Sequence, residues 1–174
     1  MISPVLLLLL STIHASYHVE GLAESPKFSQ VAVNQNIELF SSEGSWIVSI
    51  KVRPPVRTAT TERVQSLLRS MKPDPDATCV ERSRDLCNLI RDMGVACREV
   101  SGILFESRMP GEMARYYQPG MGGLPHRWIQ YFDTEQGWIA FDPVQRDGRI
   151  SSRHIPIPSQ DLWPNGRIRE MSWD

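Results

Sequence analysis

His126-Arg127-Trp128-Ile129-Gln130-Tyr131-Phe132, then Asp133-Thr134-Glu135-Gln136-Gly137, then Trp138-Ile139-Ala140-Phe141-Asp142: this stretch decides how the chain folds. Two runs rich in aromatic and β-branched residues flank a short polar segment that ends in Gly, which is the pattern of an antiparallel hairpin. A turn centred near residue 134 sets His126 directly opposite Asp142. Facing residues in such a pair have Cβ atoms about 4.5–5.5 Å apart. A carboxylate at that distance accepts the Nδ1 proton of the imidazole, fixes its tautomer and turns Nε2 outward. Taken alone, each residue has a plainer reading. A lone strand His is commonly structural, and Asp before Pro143 is a common turn starter.

Upstream, Cys79 to about Met93 reads as a helix, capped by Asp76 or Thr78 and ended by Gly94. At about 100° per residue, Leu86, Ile90 and Met93 fall within roughly 40° of Cys79 around the axis. Cys79 therefore sits on the buried face in the first turn, where free backbone N–H groups and the helix dipole favour a thiolate. A lone Cys on an apolar helix face is usually core. A Cys at a helix N-terminus followed by a His and an Asp in register is a much rarer coincidence, and it is the kit for cysteine nucleophilic catalysis. The thiolate attacks a carbonyl, the imidazole carries the proton to the leaving amine, and the carboxylate orients the ring. The Cys79 N–H is a ready oxyanion donor. Trp46, through its indole N–H, is a candidate second donor, set against the plainer reading of a core Trp.

The remaining elements read around these two. Residues 28–52 are strand-like, with runs at Val31-Ala32-Val33, Ile37–Phe40 and Trp46–Ile50 and a turn at 41–44. Pro54-Pro55 stops the last strand. A helix runs from Thr60 to about Arg69 with Val64, Leu67 and Leu68 on its buried stripe. Residues 72–76 form a rigid Pro-rich loop, Val95–Leu104 is a strand, and residues 105–125 form a long irregular loop of the kind that shapes a site.

Composition narrows the classes. The 174 residues fit one domain; 41% are hydrophobic and 22% charged, enough to bury a core and too apolar for a disordered chain. The formal charge is −1, from 19 basic and 20 acidic residues, which leaves no net field for nucleic acid or an anionic membrane. No apolar run reaches the roughly 18 residues of a spanning helix. Cys79, Cys87 and Cys97 make an odd count, so one is left free or reactive in an exported protein. None of their spacings is a zinc pattern, and His14, His18, His126 and His154 form no HxxxH pair, so neither a metal nor a cofactor is expected. Ile2–Ile13, built on Leu6–Leu10, has the length of a signal-peptide core, with Ala15 or Ser16 as the small residue for cleavage, although no Lys or Arg precedes it. Residues 1–16 are thus expected to be a targeting segment outside the fold, and residues 17–174 a single secreted or periplasmic domain. The chain would be cytoplasmic if that segment is kept.

Three blocks resemble the transglutaminase-like superfamily, over residues from about 60 to 160. Cys79 opening a helix that leads through Gly94-Val95-Ala96-Cys97-Arg98 to a strand ending in Gly102 is similar to that family's nucleophile segment. His126-Arg127-Trp128-Ile129 resembles its His-Ala-Trp-Val strand, and Gly137-Trp138 through Asp142-Pro143 resembles its Gly-Trp…Asp-Pro strand. Arg153-His154-Ile155 lies near the end of the similar region. The resemblance implies an α+β, papain-like or transglutaminase-like core with the nucleophile helix packed on an antiparallel sheet. It also implies Cys79 as nucleophile, His126 as base and Asp142 as orienting acid. Val95-Ala96-Cys97 stands where the family often has Ile-Pro-Ala, and Thr78 stands where many members have Gly, which leaves the substrate side undefined. Cys87 and Cys97 read as core thiols, or as a disulfide if the chain is exported. The implied activity is acyl transfer or hydrolysis of a protein, peptide or amide substrate. A non-catalytic binding module on the same fold is the alternative.

Overall fold

The computed structural model describes residues 13–20, 25–28, 30–72, 74–104, 124–145, 147–157 and 167–173. The elements are β1 (Ile13–Glu20), β2 (Gln35–Ser42), β3 (Ser45–Val52), α1 (Ala59–Ser70), α2 (Cys79–Asp92), β4 (Cys97–Leu104), β5 (Leu124–Asp133), β6 (Gly137–Phe141), β7 (His154–Pro156) and β8 (Arg167–Trp173). They form two antiparallel sheets, ordered β2-β3-β1-β8 and β6-β5-β4-β7. This is the mixed α+β architecture that the sequence implies.

The second sheet is the middle layer. One face packs on the first sheet, through a cluster that joins Ala15, Tyr17, Val48 and Ile50 to Val100, Ile103, Trp128 and Ile155. The other face packs on the helices, with Val64, Leu86 and Ile90 against Ile129, Tyr131, Ile139 and Phe141. Both helices begin in reciprocal caps, Thr58 with Thr61 and Thr78 with Glu81, so their first-turn amides are partly satisfied before any tertiary contact forms. A Cys87–Cys97 disulfide ties the middle of α2 to the first residue of β4.

The structure departs from the sequence reading in four places. Ile13–Ser16 are not outside the fold: they pair with Val52–Ser49 in a central strand of the first sheet, where Ala15, Tyr17 and Val19 are fully buried. Their period-2 alternation with His14, Ser16 and His18 is a strand signal, but the apolar block before it has no breaker to mark the boundary. Val31-Ala32-Val33 is not a strand. Instead the Val33 N–H donates to Trp138 O (2.9 Å), and the Asn34 amide bonds both Ala140 O and Ala140 N–H, which closes the free edge of β6. Strand β5 begins at Leu124, two residues before His126; residues 105–123 of the expected loop, and 1–12 of the expected targeting segment, lie outside the described residues.

The fourth departure bears on the site. Asp133 pairs with Gly137 and Ile129 with Phe141, so the turn centres on Glu135 and not on residue 134. Asp133 sets this centre by accepting the N–H groups of Glu135 (2.9 Å) and Gln136 (3.0 Å). The register therefore carries Asp142 towards Trp128 and leaves His126 as its diagonal neighbour on the same face, still within side-chain reach. Gly102 makes room for this arrangement. It pairs with both His126 and Pro156, and a Cβ there would lie 2.2 Å from Ile155 O and 2.4 Å from the Trp128 ring.

Candidate active site

The site forms where the N-terminus of α2 meets the first residues of β5. The Thr78 hydroxyl accepts the Glu81 N–H, and Glu81 reaches back to the Thr78 N–H at 2.8 Å, so the chain turns sharply into the helix at Cys79. Cys79 is the free cysteine and is half-buried. Four residues on, buried Ser83 donates its hydroxyl to Arg127 O at 3.0 Å and pins this end of the helix to β5. The thiol is then close enough to the His126 ring and to the Arg127 backbone amide for both to act on its ionisation. Burial raises the Cys79 pKa, but the hydrogen bond and positive charge of His126, helped by the Arg127 amide, outweigh it and hold the thiol below its ordinary value.

His126 Nε2 lies 3.0 Å from Asp142 Oδ2, with the His side chain 6% exposed and the Asp fully buried. The ring is thus turned end for end relative to the sequence reading. Asp142 takes Nε2, and Nδ1 is left for the thiol. The diagonal register is the physical reason, because it presents the carboxylate to the far edge of the ring. Burial opposes the imidazolium, but the hydrogen bonds to Asp142 and Cys79 push the His126 pKa up to about 9. Burial likewise opposes the Asp142 carboxylate, but the two rings that donate to it hold it well below the usual carboxylate range. Both partners are therefore biased towards a thiolate–imidazolium pair.

Asp142 is held from several sides. Its Oδ1 accepts the Val144 N–H at 2.9 Å, and its own N–H donates to Gly148 O at 2.9 Å. Gly148 has φ +71° and lies against the Phe141 ring, which a Cβ would penetrate, so this return turn requires glycine.

A residue to which the sequence reading assigned no role completes the set. His154 is buried on β7, and its Nε2 lies 3.0 Å from the same Asp142 Oδ2. Its ring is 5.6 Å from His126 and meets Trp128 edge-on at 5.3 Å. Nothing local in the sequence marks it; only the pairing of β7 with β4, Leu104 facing His154, brings it there. His126, Asp142 and His154 offer three ligand atoms within 4.8 Å of one another. However, the Ser151 N–H donates to His154 Nδ1 at 3.0 Å, which leaves the ring's proton on Nε2, where a metal would need a lone pair. The trio is a proton-bonded array.

Trp46 packs against the core between the two sheets and is not among the groups that act on Cys79. The amides of Cys79 and Val80 lie at the helix mouth, and neither the cap nor the first helical bond, from Arg82 N–H to Thr78 O, uses them. A cavity of about 580 Å³ lies between the end of α1, the start of α2 and the turn after Asp142, lined by Ala77, Arg82, Asp85, Pro143 and Val144 but by none of Cys79, His126 and Asp142. Among the described residues no helix is long and apolar enough to cross a membrane.

No curated protein and no solved structure matches the chain. The model of the transglutaminase-like superfamily matches residues 33–143, from the segment that closes the edge of β6 to the residue after Asp142. With Cys79, His126 and Asp142 all inside that match, the chain belongs to the transglutaminase-like superfamily.

Proposed function

We propose that the chain is a thiol-dependent enzyme that transfers or hydrolyses an acyl group of a protein, peptide or amide substrate, with Cys79 as nucleophile, His126 as acid and base, and Asp142 as the group that orients His126. The observation that carries this reading is the buried His126–Asp142 pair, Nε2 to Oδ2 at 3.0 Å, set beside the helix mouth where its ring acts on the Cys79 thiol. In this reaction Cys79 Sγ attacks the carbonyl carbon, and the charge that develops on oxygen meets the backbone amides at the start of α2. His126 Nδ1 gives its proton to the leaving amine as the C–N bond breaks, leaving a thioester. Water or a second amine, deprotonated by the same nitrogen, then attacks the thioester and regenerates the thiol.

Labelling the pure protein with a thiol-directed acylating probe at pH 6.5, followed by peptide mapping, tests the reading. Fast modification confined to Cys79 is the expected result. A Cys79 no more reactive than a free thiol leaves a binding module with a vestigial pocket. Release of free acid against incorporation of a labelled amine then separates hydrolase from transferase. Export is also proposed, since the Cys87–Cys97 disulfide suits an oxidising compartment. Processing in that case lies upstream of Ile13, so that β1 stays whole.

A further inference from the structure

We propose that His154 is a positioning residue of this site: a permanent hydrogen-bond donor that aims the Asp142 carboxylate at His126 and makes the triad a line of four. The inference rests on the thiol-catalysis reading above. Its own support is the direction of the hydrogen bonds around His154. The Ser151 N–H points at Nδ1 (3.0 Å), and the His154 N–H returns to Ser151 O (3.1 Å), so a tight turn fixes both the ring plane and the nitrogen that carries the proton. The side-chain amide of Gln35 donates to His154 O, and the Tyr17 hydroxyl donates to Ser152 O, anchoring the turn to the first sheet. Among the described residues, Nε2–H then has Asp142 Oδ2 as its partner, the oxygen that His126 also uses.

A carboxylate can rotate about its Cβ–Cγ bond. With Val144 N–H on Oδ1 alone, Oδ2 could swing past His126 while that bond is kept. A second donor on Oδ2, held by an independent element, removes that freedom. The titratable groups that act on Asp142 are His126 from β5 and His154 from β7, and its charge in turn reaches Cys79 on α2. Any change in the aim of Asp142 therefore appears in the Cys79–His126 pair, which can be read without knowing the substrate.

The test is iodoacetamide alkylation of Cys79 across pH 5–10 in the full chain, for wild type, His154→Phe and His154→Gln. Phe keeps a ring against Trp128 but donates nothing; Gln returns an N–H at about the reach of Nε2. The expected result for His154→Phe is alkylation about tenfold slower at pH 6, with the profile displaced to higher pH, and for His154→Gln a rate within about threefold of wild type. A His154→Phe profile equal to wild type in a folded protein overturns the inference. So does a profile displaced to lower pH, which would mean that His154 dilutes the carboxylate charge without aiming it, and so does His154→Gln behaving like His154→Phe. An ordinary thiol profile in wild type overturns the underlying catalytic reading and is seen before any variant is made. Nitrogen-15 shifts of the wild-type ring give a measurement that does not depend on a variant folding: a proton on Nε2 is required, and a proton on Nδ1 overturns the inference.

Discussion

Asp142→Asn puts an amide of the same size where three donors converge on two oxygens. His126 and His154 both point at Oδ2, and the Val144 N–H points at Oδ1. An amide has one oxygen, so in either orientation at least one donor faces an NH2 group. The imidazolium also loses its buried counter-charge. If the His126 pKa falls from about 9 to its ordinary 6.5, the thiolate–imidazolium pair loses about 3 kcal/mol, or roughly two orders of magnitude in population near neutral pH. Turnover should fall by at least roughly 10², less than the ~10⁴ that the equivalent change costs a serine protease, because a thiol needs less help from a base. The assay is the pH profile of Cys79 alkylation beside turnover of an amide substrate, with circular dichroism to confirm the fold. Asp147→Asn is the control, an exposed partner of Arg149 with a side chain 62% exposed. Asp133→Asn is unsuitable, because Asp133 is buried and holds both the β5–β6 turn and the Thr58 hydroxyl. An Asp142→Asn protein that keeps the wild-type alkylation midpoint would refute the reasoning, since its carboxylate would then not be what maintains the pair.

Four further outcomes are expected. Turnover should follow a bell-shaped pH profile, rising as Cys79 ionises below its ordinary value and falling as His126 loses its proton near pH 9. The His126 pKa is raised by folding, so its contribution to stability is complete below pH 6.5 and is lost as pH rises through about 9; His126→Ala should lack that decline in chemical denaturation series. Asp142 and Cys79, both lowered, contribute in the opposite sense, and their terms fade as pH falls. Replacing Cys87 and Cys97 by Ser opens a short loop and should cost about 2–3 kcal/mol by urea unfolding while Cys79 still alkylates fast; loss of both properties would mean that the disulfide shapes the site. N-terminal sequencing of chain from its host should find a start at or before Ile13. Deletion through Val19 strips the buried Tyr17 and Val19, roughly 3–6 kcal/mol of apolar burial, and a deletion that still folds would remove β1 from the core.

Some of this was legible residue by residue. The start of α2 reads to within two residues, because Asp76 and Thr78 are both capping types, and the helical period places Cys79 on the face of Leu86 and Ile90; the structure selects Thr78, to which Glu81 reaches back. The β5–β6 hairpin reads from its alternation, but its centre does not. That depends on Asp133 bonding two amides of its own turn, and a shift of one residue in the centre moves every facing pair by two.

The sequence by itself therefore determined which side chains are the candidates for chemistry and which elements hold them: a thiol at a helix mouth, with an imidazole and a carboxylate on neighbouring strands. Periodicity, caps and turns are set by residues a few positions apart, and those interactions are written along the chain. Only the tertiary structure decided which ring nitrogen meets Asp142, that Ser83 fastens α2 to β5, that β1 belongs to the core, and that His154 joins the site. Each of those depends on contacts between residues far apart along the chain or on a register of a few ångströms, which no local pattern of residue types records.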